Sequence, residues 1–305
     1  MSSVIGVDLG GTNLRAAQVL PGGQLAATRQ VSVDHLGRQG EPPFGQLTDM
    51  IVDLAGEIGS DLAGIGLSVT GPIDPVTGWV DNPFTLPAAM QGDLLGAVRS
   101  RIDVPLAVEN DANAAALGEA LHGAGRGGAV VVCVTIGTGV GVGVYAHGRL
   151  YAGAGNTHPE AGHLVVDPAG PPCYCGASGC IESFVSATAI LDAAVTSGVA
   201  GAGATAQDVY AMAHAGDRGA ATIVQRAASA LAAGVRTLVA VYAPDVIVLA
   251  GNALGDAASL VREVTNELER FPFGGRAVSV RTAKLGNWAG CVGAGVLVRS
   301  RIAEA

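Results

Sequence analysis

The sequence predicts an α/β protein built from two related lobes. Two short apolar strands, Val4 to Leu9 and Leu14 to Leu20, flank a Gly10-Gly11-Thr12 turn, and the pattern returns over residues 129–145 around Gly137-Thr138-Gly139. In both halves, apolar runs of strand length alternate with segments of helical periodicity. A strand–turn–strand unit that occurs twice, each time at the opening of a half, indicates two lobes of similar architecture.

The first half begins as a meander of antiparallel strands with tight turns. Its third strand follows the Pro21-Gly22-Gly23 turn and starts at Gln24. The pattern then predicts a helix over 44–58, a strand over 63–69, a helix near 90–101, a strand over 105–109 and an alanine-rich helix from Asp111 to about Leu121.

The second half opens with strands over 129–136 and 140–145. It continues with helices over 182–196, 206–214 and 217–242, a strand over 245–250, a helix over 257–270, a strand over 277–283 and a closing helix from about Trp288. We assign residues 1–117 and about 291–305 to a small lobe, and residues 118–290 to a larger lobe that carries a cysteine-rich loop.

Composition excludes several classes of protein. The chain has 305 residues, a net charge of −9, 46 glycines and a single lysine, Lys284, whose neighbours do not form the Gly-x-x-x-x-Gly-Lys pattern of a P-loop. The negative charge argues against a nucleic-acid partner. Because no apolar run reaches the length of a membrane span and the N-terminus has no signal-peptide pattern, we expect a cytoplasmic protein.

The two glycine turns are candidate phosphate sites. Glycine between two strands lets backbone N–H groups converge on an anion, and a threonine hydroxyl adds a donor. Asp8, just before the first turn, can hold a cation that accompanies a phosphate. Ordinary hairpin turns would contain the same residues, but their equivalent positions in both halves favour phosphate binding. By contrast, the Gly-x-Gly-x-x-Gly match at 123–128 follows a helix, the reverse of a dinucleotide fingerprint, and predicts a loop.

A cysteine cluster predicts a zinc site. Cys173, Cys175 and Cys180 lie within eight residues, and His163 precedes the first of them by ten. Three thiolates and one imidazole complete a tetrahedral zinc shell with no open position, which is typical of a structural metal. A disulfide or unligated thiols are the alternatives. The odd total of five cysteines and the lack of a signal peptide favour zinc.

Polar residues at the end of a predicted strand suggest catalysis. Glu109-Asn110-Asp111-Ala112-Asn113 lies where a strand meets an apolar helix, and α/β sheets bind ligands at such strand ends. Helix capping by Asn110 or Asp111 is the simpler explanation, although capping needs only one polar group. Glu160 and Glu182 flank the expected zinc ligands. Together with His163 they would form a polar cluster suited to binding sugar hydroxyls. The alternative is that both glutamates are ordinary surface carboxylates.

In this order, these motifs resemble the ROK family of repressors and sugar kinases. Residues 8–12 resemble its first phosphate motif, residues 137–141 its second, and residues 109–113 its catalytic segment. Glu160-x-Gly-His163, followed by Cys-x-Cys-Gly-x-x-Gly-Cys-x-Glu182, is similar to its zinc and sugar signature, the most specific element. The resemblance covers about residues 4–182, with a looser match toward the C-terminus.

The resemblance implies an actin-like, hexokinase-type ATPase fold with an active-site cleft between two lobes. It implies transfer of the γ-phosphate of ATP to the 6-hydroxyl of glucose, with Asp111 as general base, Mg²⁺ as cofactor, one structural Zn²⁺ and a homodimer or homotetramer. The residues implied for the sugar are Gly71, Asn82, Asn110, Asp111, Glu160, His163 and Glu182. Those implied for ATP and Mg²⁺ are Asp8, Gly10, Gly11, Thr12, Gly137, Thr138, Gly139 and Gly251, and those for zinc are His163, Cys173, Cys175 and Cys180.

Two segments depart from the family pattern and leave nucleotide preference open. Leu249-Ala250-Gly251-Asn252 replaces a glycine-rich turn near the adenine site, and residues 286–290 replace a more acidic segment. The alternatives are a fructokinase, an N-acetylhexosamine kinase, a polyphosphate-dependent kinase and a sugar-binding protein without catalysis. His158-Pro159 resembles the fructokinase branch of the family. A sugar-responsive repressor is another alternative, although the family's helix-turn-helix has no room before residue 8.

Overall fold

The computed structural model describes residues 2–36, 42–83, 85–154, 157–201, 203–253, 257–270 and 277–304. The chain forms two compact units. The first unit comprises residues 1–126, 149–158 and 287–305, and the second comprises residues 127–148 and 159–286. The break between Arg126 and Gly127 falls in the glycine-rich segment that the sequence predicts as a loop.

The strands of the described residues are short, as expected for an α/β protein. They are β1 (Ser3–Leu9), β2 (Asn13–Val19), β3 (Leu25–Ser32), β4 (Leu62–Val69), β5 (Trp79–Val80), β6 (Gly92–Asp93), β7 (Leu106–Asn110), β8 (Val130–Ile136), β9 (Val140–Ala146), β10 (Arg149–Leu150), β11 (Val246–Ala250) and β12 (Ser279–Thr282). The α-helices are α1 (Gly45–Ile58), α2 (Leu94–Arg99), α3 (Asp111–His122), α4 (Glu182–Val185), α5 (Ala187–Thr196), α6 (Ala206–His214), α7 (Arg218–Tyr242), α8 (Ala257–Arg270) and α9 (Ala289–Glu304).

The sheet of the first unit has the strand order β3-β2-β1-β4-β7. The predicted meander is confirmed, because β1, β2 and β3 pair antiparallel, whereas β4 and β7 add in parallel. Alternate residues of β1 face opposite sides. Ile5 and Val7 pack in a core with α1, and Gly6 lies against the backbone of α9. Layers on both faces explain why β1 is almost continuously apolar.

The second unit repeats this arrangement. Strands β9, β8, β11 and β12 lie side by side in that order. The first pair is antiparallel and the next two are parallel, as in the β2-β1-β4-β7 part of the other sheet. Helices α4, α7 and α8 contribute to the core on this sheet, and α5 and α6 pack with α7 in a further cluster. The predicted internal repeat is therefore confirmed at the level of strand order and direction.

Two helices and the division into lobes differ from the predicted ones. The helix expected over 182–196 is broken at Ser186, whose extended backbone ends α4 and whose hydroxyl caps α5 by accepting from the Ala189 N–H. The helix expected near 90–101 is reduced to α2, because residues 92–93 pair as β6 with β5. The lobe boundary placed after residue 117 lies inside α3, all of which belongs to the first unit, and residues 149–158, expected in the larger lobe, belong to the first unit as well.

Membrane-spanning helices are absent from the described part of the chain. Even α7, which has 25 residues, is not apolar enough to cross a bilayer. Arg226 and Arg236 on this helix form ion pairs with Asp167 and Glu267.

Candidate active site and metal centre

Asp8 lies near the carboxyl end of β1, immediately before the first glycine turn. Its side chain is 14% exposed, the Ser68 hydroxyl donates to Oδ1 at 2.8 Å, and the Arg15 guanidinium lies 3.8 Å from Oδ2. Burial raises the pKa of Asp8 to about 6; the Ser68 hydrogen bond opposes this shift, and the negative charge of Asp111 adds to it. A buried carboxylate with a raised pKa is a suitable ligand for a cation.

Strand register explains why these polar groups meet. Ser68 of β4 is the register partner of Asp8 in β1, and Glu109 of β7 is the register partner of Ser68. Three polar residues thus lie side by side at the carboxyl ends of three parallel strands, where such sheets bind ligands. The Glu109 carboxylate is held by the Asn110 N–H at 2.9 Å and the Asn113 amide at 3.1 Å.

Asp111 occupies the first turn of α3. Its carboxylate accepts from the Asn110 side-chain amide at 3.0 Å, from the Ala112 N–H at 2.9 Å and from the Thr70 hydroxyl. Burial is the main effect on its pKa, which is raised, although these hydrogen bonds and the nearby His158 oppose the shift. A carboxylate with increased proton affinity, fixed by several donors, has the properties of a general base.

Capping and function are divided between neighbouring residues. Asn110 caps α3, because its Oδ1 accepts from the N–H groups of Ala112 and Asn113. The capping explanation considered for this motif is therefore correct for Asn110. It leaves the carboxylate of Asp111 available for another role.

The residues proposed for one side of the sugar pocket are also brought together. The Asn82 amide donates to the Thr70 carbonyl at 2.9 Å and to the Thr85 hydroxyl, and Asn82 is 4% exposed. Gly71 has φ +80°, and a Cβ there would lie 2.2 Å from the Asn82 amide nitrogen. The Asn110 amide reaches the Gly71 carbonyl at 3.3 Å. Gly71, Asn82, Asn110 and Asp111 therefore form one cluster in the first unit.

The second glycine turn is held by the α4–α5 junction. The Ala187 N–H donates to the Gly137 carbonyl at 2.9 Å, and the Thr188 hydroxyl donates to the Thr138 carbonyl at 3.2 Å. The Glu182 carboxylate accepts from the Val140 N–H at 2.7 Å, directly after Gly139. These contacts hold the backbone of the turn, in which Thr138 is exposed.

Gly251 follows the end of β11 with φ +111°. A Cβ at this position would lie 2.0 Å from the carbonyl oxygen of Ile136, the last residue of β8, so only glycine fits this close approach. The Asn252 carbonyl accepts from the Gln207 amide at 2.8 Å. Gly251 thus lies next to the second glycine turn. The segment around Gly251, which departs from the family pattern, is held by this hydrogen bond from α6.

The cysteine cluster has the geometry of a zinc site. The ligand atoms of His163, Cys173, Cys175 and Cys180 all lie within 4.8 Å of one another. Cys173 Sγ is 3.4 Å from His163 Nδ1, and Cys175 Sγ is 3.6 Å from Cys180 Sγ. A tetrahedral zinc ion with ordinary bond lengths requires about 3.6 Å between sulfur and nitrogen and about 3.8 Å between two sulfurs. The donor set and its spacing therefore fit zinc.

Tight turns bring the cysteines together. Gly176 and Gly179 have positive φ angles of 94° and 73°, and a Cβ on Gly179 would lie 1.6 Å from the Asp167 carbonyl oxygen. The Cys173 N–H donates to the Ala177 carbonyl at 2.8 Å, which closes the loop. The glycines around this motif are thus required by the backbone that wraps the site.

The free nitrogen of His163 faces a residue that the sequence argument did not identify. His163 Nε2 lies 3.1 Å from the Tyr174 hydroxyl, and the two rings meet edge to face with centroids 5.0 Å apart. The Tyr174 hydroxyl also hydrogen bonds to Glu182, and Glu160 is close enough for its charge to act on Tyr174. His163, Glu182 and Glu160 therefore surround one phenol, all within the second unit.

Sequence reasoning did not identify Ser68, Thr70 or Tyr174 as parts of the site. Ser68 carries a usable signal, because it is the one hydroxyl-bearing residue in the apolar segment Leu62–Val69. Tyr174 lies between two proposed zinc ligands, but its position gives no indication of which way the side chain turns.

The fold defines a class of protein: the mixed α/β architecture is that of the actin-like ATPases, as in the ROK kinase structures. The chain belongs to the ROK family, whose model matches residues 4–301. Glucokinase of Halalkalibacterium halodurans is 32% identical to it over 97% of this chain and 95% of its own length.

Two solved structures of ROK family proteins are also similar to this chain. A ROK hexokinase from Thermus thermophilus has a TM-score of 0.86 and 28% identity, covering 99% of this chain and 100% of its own. A ROK family glucokinase from Streptomyces griseus, solved in complex with glucose and AMPPNP, has a TM-score of 0.76 and 28% identity, covering 98% of this chain and 99% of its own.

Proposed function

We propose that this protein is an ATP-dependent hexose kinase that transfers the γ-phosphate of ATP to the 6-hydroxyl of glucose. The observation that carries the proposal is the buried Asp111 carboxylate, with its raised pKa, beside the Asp8 carboxylate in a chain of the ROK family. Its similarity to proteins named glucokinase favours glucose among the hexoses.

Asp111 would act as the general base. It would accept the proton of the sugar 6-hydroxyl as that oxygen attacks the γ-phosphorus and the bond to ADP breaks. The Asn110 amide and the Ala112 N–H hold one carboxylate oxygen, so the carboxylate is oriented before the sugar binds. Its raised pKa improves the driving force for proton transfer.

Asp8 would bind the magnesium that accompanies ATP. When bound, Mg²⁺ supplies charge neutralisation for the transferring phosphoryl group. The Ser68 hydroxyl orients the Asp8 carboxylate, and Arg15 limits the local excess of negative charge. The residues that we propose to contact ATP through the two glycine turns and the segment after β11 are Gly10, Gly11, Thr12, Gly137, Thr138, Gly139 and Gly251.

The sugar hydroxyls would be bound by amides, carboxylates and one imidazole. The residues that we propose for this role are Gly71, Asn82, Asn110, Asp111, Glu160, His163 and Glu182. Zinc on His163 Nδ1 would leave Nε2–H as a donor of fixed direction, which is the usual effect of a metal on a ligating histidine. We also propose that the protein is a homodimer or homotetramer, which sedimentation can test.

The test is a coupled ADP-release assay with glucose, fructose, mannose and N-acetylmannosamine, with and without Mg²⁺. We expect turnover to require both Mg²⁺ and sugar, with glucose giving the highest kcat/KM. Replacing ATP with polyphosphate tests the identity of the donor. If no sugar supports ADP release, the kinase proposal is wrong. If another sugar gives a higher kcat/KM than glucose, the kinase proposal stands and only the choice of glucose is wrong.

The variant Asp111→Asn tests the catalytic role. The amide keeps the shape of the side chain but cannot accept the proton, so we expect kcat to fall by about 10²- to 10⁴-fold. Glucose affinity, measured by calorimetry, should change by less than about threefold, because the asparagine keeps an oxygen that accepts a hydrogen bond from the sugar hydroxyl and the other proposed sugar residues are unchanged. Asp103→Asn, at an exposed site of the same unit, is the matched control and should keep wild-type turnover. Near-normal kcat in Asp111→Asn would contradict the assignment.

A further inference from the structure

Tyr174 combines an exposed ring with a well-bonded hydroxyl. The residue is 84% exposed, yet its hydroxyl turns back onto His163 and Glu182. An aromatic side chain held mainly by its polar end can leave its position without disturbing the core. This arrangement is unlike that of a structural tyrosine, whose ring is usually buried.

The hydrogen bonds at this hydroxyl have a defined direction. His163 Nδ1 faces Cys173 in the proposed zinc cluster, so a zinc-bound imidazole carries its proton on Nε2. Nε2–H then donates to the Tyr174 oxygen at 3.1 Å, and the Tyr174 O–H donates to the Glu182 carboxylate. The phenol thus accepts from the imidazole and donates to the carboxylate.

A sugar hydroxyl has the same hydrogen-bonding capacity as a phenol: one donor and two acceptor lone pairs. We infer that the Tyr174 hydroxyl occupies, in the sugar-free protein, the position taken by a sugar hydroxyl on binding, so that Tyr174 must leave before the sugar can bind. This inference rests on the proposed function, because it takes His163 and Glu182 as sugar ligands. Tyr174 is accordingly a residue that sets sugar affinity, and it takes no part in phosphoryl transfer.

The consequence is a lower apparent affinity for the sugar. Each binding event exchanges two internal hydrogen bonds for two hydrogen bonds to the ligand, so the fraction of molecules with Tyr174 displaced scales the apparent Kd. A partly solvated internal hydrogen bond shifts an equilibrium by about two- to tenfold. Removing the hydroxyl should therefore strengthen binding by that factor.

The test compares Tyr174→Phe with wild-type protein carrying its full zinc content. We expect the Kd for glucose by calorimetry and the KM for glucose to fall about two- to tenfold, with kcat and the KM for ATP unchanged. Tyr151→Phe removes a hydroxyl from a half-exposed tyrosine of the other unit and should leave both glucose constants at wild-type values.

Each outcome is decisive. An unchanged or weaker affinity in Tyr174→Phe would overturn the inference, because the hydroxyl would then be neutral or would help to position His163 for the sugar. A decrease in kcat with unchanged KM would overturn it as well. Failure of the kinase proposal is distinguishable, since it would be seen in wild-type protein as the absence of sugar binding and ADP release.

Discussion

At the scale of single residues, Asp8 shows how function and stability oppose each other. Its carboxylate is almost enclosed, and the Ser68 hydroxyl and the Arg15 guanidinium compensate only part of the cost of burying its charge. The neighbouring charge of Asp111 adds to that cost. In the absence of a cation, the ionised form of Asp8 is therefore destabilising at neutral pH, as is common for residues placed for function.

The sign of the pH dependence follows from the raised pKa. In the folded chain Asp8 binds its proton with a pKa of about 6, against 3.8 as the ordinary value. Since the folded state holds the proton more tightly, the contribution of Asp8 to stability is fully present below about pH 4. It is lost as the pH rises through about 6, and the total loss is on the order of 3 kcal/mol.

We therefore predict that Asp8→Asn stabilises the protein while abolishing its activity. At pH 8 without Mg²⁺, the free energy of unfolding of the variant should exceed that of wild type by roughly 1–3 kcal/mol. The difference should shrink as the pH falls through 6 and vanish below about pH 3, where Asp8 is protonated in both states. Urea titrations at a series of pH values measure this. A variant that is less stable at pH 8 would show that pairing with Arg15 outweighs burial.

At the scale of secondary-structure elements, glycine allows α9 to pack closely in the first unit. A Cβ on Gly66 of β4 would lie 1.8 Å from the Ala294 carbonyl oxygen of α9, and a Cβ on Gly6 of β1 would lie 1.9 Å from the Cys291 carbonyl oxygen. On α9 itself, a Cβ at Gly293 would lie 1.7 Å from the Ala114 carbonyl oxygen of α3. Backbone packs on backbone at these positions, which accounts for part of the high glycine content.

Gly66→Ala is predicted to destabilise the first unit. The clash is with a helix backbone, which cannot yield as a side chain can, so we expect a loss of roughly 1–3 kcal/mol or more. Gly56→Ala in α1 is the matched control: its Cβ would meet nothing within 4 Å, and the better helix former should stabilise by roughly 0.5–1 kcal/mol. Urea denaturation measures both. Equal effects in the two variants would contradict close packing as the reason for Gly66.

Elements with strong local signals could be predicted from the sequence, and contacts between distant elements could not. The predicted strand of residues 63–69 and the predicted helix that starts at Asp111 match β4 and α3 closely, because hydrophobic periodicity and helix capping are local properties. The break at Ser186 was missed, since apolar periodicity continues through it. The contact between Ser68 and Asp8 depends on the register of strands sixty residues apart, which no local pattern encodes.

The same distinction applies to the candidate site. The candidate zinc ligands are readable because four residues of two types, histidine and cysteine, suffice at this spacing to define a tetrahedral shell. The orientation of Asn110 toward both Gly71 and Asp111 is not readable, because it follows from the packing of β4 against β7. Side-chain direction, as for Tyr174, requires the folded backbone.

At the scale of the whole molecule, the two units share a sheet pattern but differ in what stabilises their sites. In the first unit, Asp8 and Asp111 extend from the sheet and the adjoining helix. In the second, the loop of residues 163–182 has little regular structure of its own, yet it carries His163 and Glu182 and leads into the α4–α5 junction that holds Gly137. A metal is the natural means of fixing such a loop.

Loss of zinc should therefore affect the second unit alone. Cys175→Ser removes one ligand without altering the core, because Cys175 is exposed. We expect metal analysis to show about one zinc per wild-type chain and far less in the variant, with glucose binding lost in parallel. Hydrogen exchange should accelerate over residues 160–188 and in the backbone around Gly137, while β1, β4 and α9 keep their protection.

Ser178→Ala, at an exposed position in the same loop, is the matched control and should retain zinc and sugar binding. If Cys175→Ser proved metal-free yet bound glucose with wild-type affinity, the loop would be fixed by its own turns, and zinc would have no part in forming the sugar site.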